Sequence, residues 1–438
     1  MADDEERMDD EMLDADEERI DESGNEDSRK ESEEKDSVYL PGDPIDENEE
    51  LEFDKSAYEM YHEAQTGAPC LSFDVIKDQL GETRTEFPMA LYLVTGTQAE
   101  RAHSNSIMVV KMSDLSKIDQ DESDSDDEII EDEADGPAMR TASIRQIGAC
   151  NRIRHSHIPN RHLVASWSDT GKVHIWDVAE QMNALDKPGA PKNQYFGDKV
   201  KPMFTFNGHQ AEGFAIDWSK VNPSRLATGS CNRNIHLWQL RDDGNFHVDQ
   251  RPYNAHEASV EDIQWSPNES NVFSSCSADK TIRVWDARAV GSKACMITCK
   301  AHDDDVNVIS WNQNEPLIVS GGDDGAVKVW DLRQIQNDVP VATFKHHKAP
   351  ITSVEWNSRD SSVFAASGSD DQLTLWDLAV ERDDGDQAQG KLKDLPPQLL
   401  FIHMGQNDIK EVHWHPQLPG VVLSTAGNGF NVFKTISV

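Results

Sequence analysis

The feature that most limits how this chain can fold is a repeat of about 45 residues. The clearest copy is residues 254–288, NAHEASVEDIQWSPNESNVFSSCSADKTIRVWDAR. Ala255-His256 opens it, Trp265 follows, Ser275 and Asp279 flank a tight turn, and Trp285-Asp286 closes it. Between these marks, the runs 260–265, 272–276 and 281–285 alternate β-branched or aromatic residues with polar ones. Alternation of that kind, cut by Ser/Asn/Asp/Lys turns, predicts antiparallel strands. One such unit leaves a face unburied and cannot stand alone. The next stretch repeats the marks as Ala301-His302, Trp311, Ser320, Asp324 and Trp330-Asp331. A third copy reads His346-His347, Trp356, Ser367, Asp370/Asp371 and Trp376-Asp377. Looser copies lie before, at Gly208-His209, Trp218, Thr228, Asn232 and Trp238, and after, at His403, Trp414, Ser424 and Phe433. Trp176-Asp177 ends a further one.

A Gly-His…Trp-Asp pattern at this period resembles the WD-repeat family, in which each copy is a four-stranded propeller blade. Six copies carry marks, and the strand-like runs 70–75, 88–95, 105–112 and 140–147 supply one more blade. The expected fold is therefore all-β: a seven-bladed WD-repeat β-propeller with a short N-terminal helix and disordered acidic segments. In the family, the His, the turn Asp, a Ser/Thr and the closing Trp form a hydrogen-bonded chain within each blade. The resemblance assigns that role to His256, Ser275, Asp279 and Trp285, to His302, Ser320, Asp324 and Trp330, and to His347, Ser367 and Trp376. The chemistry suits it, because indole donates, hydroxyl and imidazole do both, and carboxylate accepts. The same trio read as a hydrolase triad is the poorer account. No G-x-S-x-G pentapeptide is present, and a single active site has no need of a trio that recurs blade after blade.

Charge is distributed unevenly. Residues 1–50 hold 24 acidic and 5 basic residues, and residues 119–135 (DQDESDSDDEIIEDEAD) hold 11 acids and no base. Together they account for about 30 of the 40 net negative charges, so the repeats are only mildly acidic. Such runs bury no core and are expected to be disordered. The division is then a tail at 1–50, helix and first-blade strands at 51–118, an acidic insert at 119–138, and the remaining propeller at 139–438. One reading of the runs is solubility. The sharper one is a polyanionic arm, centred on Asp124, Asp126, Asp127 and Glu128, that covers a very basic protein as nucleic acid does. Ser123 and Ser125, each followed three residues on by an acid, resemble acidophilic kinase sites, and phosphate there deepens the charge.

Residues 54–65, DKSAYEMYHEAQ, predict the helix: Asp54 caps it, and Ala57, Tyr58, Tyr61 and Ala64 share a face. The order of helix, LSFD strand and LYLVTGT strand resembles the histone-binding WD-repeat proteins of the retinoblastoma-binding and chromatin-assembly-factor small-subunit group. Residues 395–405, LPPQLLFIHMG, resemble that group's Pro-Pro loop at Pro396 and Pro397. In the group, helix and loop form a groove that takes a basic amphipathic helix from a histone. The resemblance gives Tyr58, Tyr61, Leu399 and Phe401 the apolar contacts, and Asp383, Asp384 and Asp386 the acidic rim. The plainer alternative is that Pro396-Pro397 stiffens a surface loop. FPMALYLVTGTQAE, DLPPQLLFIHMGQ and the acidic segments together resemble the glutamate-rich WD-repeat proteins. That likeness implies a nuclear or nucleolar ribosome-assembly factor that chaperones a basic large-subunit ribosomal protein, with histone binding as an associated property.

Three functions follow as expectations: a ribosomal-protein chaperone, a histone chaperone or chromatin adaptor, and a substrate receptor for a cullin-type ligase adaptor. The last rests on two W-D-x-R boxes, Trp285-Asp286-Ala287-Arg288 and Trp330-Asp331-Leu332-Arg333. No G-x-x-x-x-G-K-[ST] loop, H-E-x-x-H pair or zinc spacing appears, so neither an enzyme nor a cofactor is expected. The negative charge and lack of Lys/Arg clusters argue against direct nucleic-acid binding. Six scattered cysteines without a C-x-x-C pair and without a signal peptide read as free thiols in a reducing compartment. No run of 18 apolar residues is present, so no membrane span is expected. The chain is read as a monomer.

Overall fold

A computed structural model describes residues 39–43, 51–118, 136–381 and 395–438. Residues Met1–Phe53 form one unit, whose described part holds a turn at Pro41-Gly42, and Asp54–Val438 form a second. The second unit is a ring of seven antiparallel sheets. We number the blades from the sheet that begins with strand Cys70–Ile76. The first strands of blades 1 to 7 are Cys70–Ile76, Cys150–His155, Ile216–Trp218, Val260–Trp265, Val306–Trp311, Ile351–Trp356 and Glu411–Trp414. Each first strand contacts the next, and the last returns to the first, so they line a central channel. This is the all-β seven-bladed propeller expected from the repeats.

The apolar core lies between blades rather than within them. Each of seven buried clusters joins two consecutive blades; the one at the ring's closure unites Phe73 and Leu91 of blade 1 with Met60, Leu423 and Phe430 of blade 7. Second strands are covered on both faces, and Val363–Gly368 (VFAASG) and Leu163–Ser168 (LVASWS) are buried at every position. Small residues there let sheets approach. A Cβ on Gly321 would lie 2.3 Å from Ile351 of the next blade, so only glycine fits.

The helix expected over 54–65 is not formed. Asp54 does cap a turn, accepting the Ser56 N–H at 2.9 Å, but the turn is a single 3-10 turn, Lys55–Ala57. Residues Tyr58–Ala64 are a strand that pairs antiparallel with Gly429–Thr435, as outer strand of blade 7. Tyr58 and Met60 face inward, two residues apart, in the period of a strand. The helical spacing of Ala57, Tyr58, Tyr61 and Ala64 was a local signal; an open edge of unpaired N–H and C=O groups in blade 7 outweighs it. Lys434 and Glu59 add an ion pair of 2.6 Å across the closure.

Blade 1 carries an addition that no repeat mark announces. A short helix, Ala179–Leu185, buries Gln181, Met182, Ala184 and Leu185, and strand Asn193–Gly197 then pairs parallel with Ala138–Arg145 as a fifth strand. Among the described residues no helix is long and apolar enough to cross a membrane.

Candidate functional site

The repeated polar residues form relays inside the blades. In blade 4, Trp285 Nε1 donates to Ser275 Oγ at 2.8 Å, which meets His256 Nε2 at 2.7 Å; His256 Nδ1 meets Asp279 Oδ2 at 2.8 Å. With the carboxylate as acceptor, Nδ1 carries the proton and Nε2 accepts from the serine hydroxyl, so every group is satisfied. Burial opposes ionisation of Asp279, but its bonds to His256 and Thr281 hold the carboxyl far below its usual range. Blade 5 repeats this through Trp330, Ser320, His302 and Asp324 at 2.9, 2.8 and 2.9 Å.

Blade 6 departs from the expected assignment. His347 Nδ1 does meet Asp370, at 2.9 Å, but its Nε2 meets Thr374 Oγ1 at 2.9 Å, and Trp376 also donates to Thr374, at 2.8 Å. Ser367 is bonded to Thr352 instead. Thr374 comes from the third strand, two residues before the tryptophan, and its hydroxyl reaches the place the serine fills in blades 4 and 5. Glutamine takes the place of histidine where the latter is missing: Ser166 donates to Gln146 at 2.7 Å in blade 2, and Ser424 donates to Gln406 in blade 7. In blade 3 the relay stops at His209, which meets Thr228 at 2.7 Å with no turn carboxylate beyond it.

The residues proposed for a partner groove lie at the seam of blades 6 and 7. Tyr58 is buried there; its hydroxyl meets His403 Nδ1 at 2.7 Å and its ring packs edge-on against Phe401, centroids 5.2 Å apart. It is a core residue, so it offers a partner no surface. Tyr61, Leu399, Leu400 and Phe401 are half-buried and form an apolar strip along the seam, with Glu59 and Glu63 beside it. Pro396 and Pro397 are half-buried ahead of strand Leu399–His403. Asp383, Asp384 and Asp386, the acidic-arm residues Asp124, Asp126, Asp127 and Glu128, and Ser123 and Ser125 lie outside the described residues. In both W-D-x-R boxes the arginine turns back on its own aspartate: Arg288 on Asp286 and Arg333 on Asp331, each with a closest contact of 2.7 Å.

The channel holds what sequence reasoning missed. Side chains on each first strand sew it to the next blade. Asp74 accepts the His155 N–H at 2.7 Å, Asp217 that of Trp265 at 2.7 Å, Asp262 that of Ile309 at 3.1 Å, and Ser310 that of Trp356 at 3.1 Å. Glu355 accepts from Trp414 at 2.9 Å, Glu411 from Phe73 at 2.8 Å, and the carbonyl of Arg154 accepts the Trp218 indole at 3.1 Å. All seven joints are closed this way. At the centre, Glu411 takes Arg152 at 2.6 Å and Arg154 at 2.7 Å. Burial opposes its charge, but the two guanidinium groups hold the carboxyl well below its usual range. Burial likewise opposes charge on His413, yet Glu355 and Glu411 push it up to about 10. Arg152-x-Arg154 and Glu411-x-His413, ionic residues on alternate positions of first strands, were the visible signal.

The two ends of the channel differ in charge. At the end where the relay histidines lie, Asp305 is raised by burial and by Asp323 and Asp304, and Glu261 by burial and by Asp305 and Asp323. That mouth is a concentration of negative charge. At the other end, where the tryptophans close the first strands, a cavity of about 710 Å³ opens.

A closed ring of blades with Trp–Ser/Thr–His–Asp relays defines a WD-repeat β-propeller, and the WD domain, G-beta repeat family matches residues 200–239, 248–286, 293–331 and 338–377. The family described as histone-binding protein RBBP4 or a component of the CAF1 complex matches residues 48–116. Ribosome assembly protein rrb1 of Schizosaccharomyces pombe is 43% identical over 97% of this chain and 91% of its own length. Glutamate-rich WD repeat-containing protein 1 of Dictyostelium discoideum is 44% identical over 90% of this chain and 83% of its own. Histone acetyltransferase type B subunit 2 of Aspergillus fumigatus is 30% identical over 21% of this chain and 19% of its own. The chain belongs to the family of glutamate-rich, ribosome-assembly WD-repeat proteins.

Proposed function

We propose that this chain is a non-catalytic acidic scaffold of ribosome assembly, working in the nucleus and nucleolus as escort of a basic large-subunit ribosomal protein. The observation that carries this reading is the 43% identity, over nearly the whole of both chains, to a protein named for ribosome assembly. The acidic mouth supports it, because a basic client segment meets Glu261, Asp304, Asp305 and Asp323 there. The acidic runs at 1–50 and 119–135 then cover the client's RNA-binding surface until it is placed on the ribosome. Exposed charges act over roughly a Debye length, about 8 Å in physiological salt, so capture is fast and salt-sensitive.

A second reading, a histone chaperone or chromatin adaptor, draws on the histone-binding family match at residues 48–116 and on the apolar, acid-flanked strip at the seam of blades 6 and 7. Mass spectrometry of what co-purifies with the full chain at moderate salt separates the two. One large-subunit ribosomal protein at near-equal amount supports the escort. Core histones at that level, with ribosomal proteins scattered and scarce, overturn it. A cullin-ligase adaptor that is lost on Arg288→Ala with Arg333→Ala would assign the protein to the third class.

A further inference from the structure

The tryptophan end of the channel differs in chemistry from the acidic mouth, and nothing in the escort reading uses it. We propose that this cavity is a separate binding site for an extended acidic peptide segment of a partner protein.

Size is the first support. The cavity, about 710 Å³, falls within the range of about 300–1,000 Å³ common to sites that enclose a ligand. Its walls are the ends of the first strands, with Trp265, Trp311, Trp356 and Trp414 in the lining, and the loop after strand Cys150–His155. Flat aromatic walls take peptide backbone and side-chain stems at low entropic cost.

Uncommitted positive charge is the second. Lys77, Arg161 and Lys220 belong to the lining. Arg161 and Lys220 make no ion pair and no side-chain hydrogen bond among the described residues, and Lys77 has only a solvent-exposed pairing with Glu82 at 3.3 Å. Arg359, also in the lining, is occupied by Thr83 and by the carbonyls of Glu82 and Pro416. The acids in the same wall are occupied as well. Asp74, Asp217, Asp262 and Glu355 each accept a backbone N–H from the following blade. Their charge goes to sewing the ring, whereas that of the lip cations does not.

Unpartnered donors are the third and most specific support. Trp265 and Trp356 are 4% and 2% exposed, and the indole N–H of each has no acceptor. Their counterparts Trp218, Trp311 and Trp414 all have one. His155 Nε2 and His162 Nδ1, in the same lining, are also without partners. An indole N–H can only donate, and buried donors left unpaired are rare enough to call for an explanation. The cavity thus offers donors and cations and lacks acceptors, which a carboxylate supplies. Carboxylates spaced along an extended chain suit it better than a compact polyphosphate, because the four acids in the wall repel charge packed at phosphate density.

The test uses the full chain and a fluorescein-labelled eight-residue Glu/Asp peptide, followed by anisotropy and by quenching of indole fluorescence. Lys220→Glu with Arg161→Glu reverses two surface charges that hold no structural contact, and an unchanged melting temperature confirms the fold. We expect the wild type to bind with indole quenching, and the double variant to bind at least about tenfold more weakly. A Lys/Arg peptide of equal length should bind both proteins alike. Equal affinity of wild type and variant for the acidic peptide overturns the proposal. So does inositol hexakisphosphate binding in place of the peptide, which assigns the cavity to a small polyanion. Zero-length carbodiimide coupling of Lys220 to residues 119–135, in preference to the added peptide, overturns the choice of a partner and gives the site to this chain's own acidic run.

Discussion

Blades 4 and 7 perform the same geometric task by different means. Blade 4 is one continuous stretch, strands Val260–Trp265, Val272–Ser277, Thr281–Asp286 and Cys295–Lys300, locked by a complete relay through Ser275. Blade 7 is assembled from both ends of the propeller, and Tyr58 meets His403 across 345 residues of sequence. It has no closing tryptophan. Phe433 stacks on His403 with centroids 4.1 Å apart, and Asn431 takes the remaining imidazole nitrogen at 3.1 Å. A repeated blade can be specified by short-range marks. The closing blade depends on contacts that exist only once the ring is complete, so aromatic packing and buried charge replace the relay there. The same closure shapes the strip at the seam of blades 6 and 7, because Tyr58 supports Phe401 from within.

The sharpest way to break this contrast is at the joint acids. Glu411→Gln leaves Arg152 and Arg154 without their carboxylate in a buried site, and a loss of about 3–5 kcal/mol is expected. Asp262→Asn, at the joint of blades 4 and 5, keeps an acceptor for the Ile309 N–H and should cost less than about 1.5 kcal/mol. Urea unfolding of both variants checks this, and equal losses would show that closure is not special. Next in size is the relay serine. Ser275→Ala strands both the Trp285 indole and the His256 imidazole, an expected cost of about 2–4 kcal/mol. Ser424→Ala in blade 7 strands only Gln406, and about 1 kcal/mol is expected.

The two blades should also respond to pH in opposite directions. Burial holds His256 of blade 4 below its ordinary 6.5, so the folded state binds its proton less readily than the unfolded chain does. Its effect is a loss of stability as pH falls below about 6.5. His413 of blade 7 is raised to about 10, so its contribution is complete below 6.5 and is lost as pH rises through 10. Melting temperature should therefore decline between pH 7 and 10 in the wild type and stay flatter in His413→Asn. A wild type with no decline in that window would show that His413 is neutral.

Much of the fold was legible because its marks are local and repeated. Gly/Ala-His, turn Asp and Trp recur at fixed distances, and the strands between them are short enough to read by alternation. The closing strand was not legible. Nothing within residues 54–65 states that an open edge waits for them beyond residue 429, and helical spacing was the strongest signal a window of that size contains. The site was harder still. The proposed groove aromatics were placed correctly at one seam, but Tyr58 went to the core. The channel charges, by contrast, showed as Arg-x-Arg and Glu-x-His on first strands, and a reading that asked which alternate positions of those strands are ionic would have found them.

The smallest expected effect tests the relay itself. By position in the repeat, Ser367 of blade 6 aligns with Ser275 and Ser320, yet its hydroxyl meets only Thr352, at 2.9 Å. Thr374 holds both His347 and Trp376. If the relay is defined by where a hydroxyl reaches, Ser367→Ala should cost under about 1 kcal/mol, while Thr374→Val should cost about 2–4 kcal/mol, as Ser275→Ala does. A relay defined by sequence position gives the reverse order. Strand and face matter less than the point at which an indole N–H and an imidazole nitrogen converge. Any hydroxyl that arrives there satisfies both, which is how one blade keeps the relay while moving its central residue to another strand.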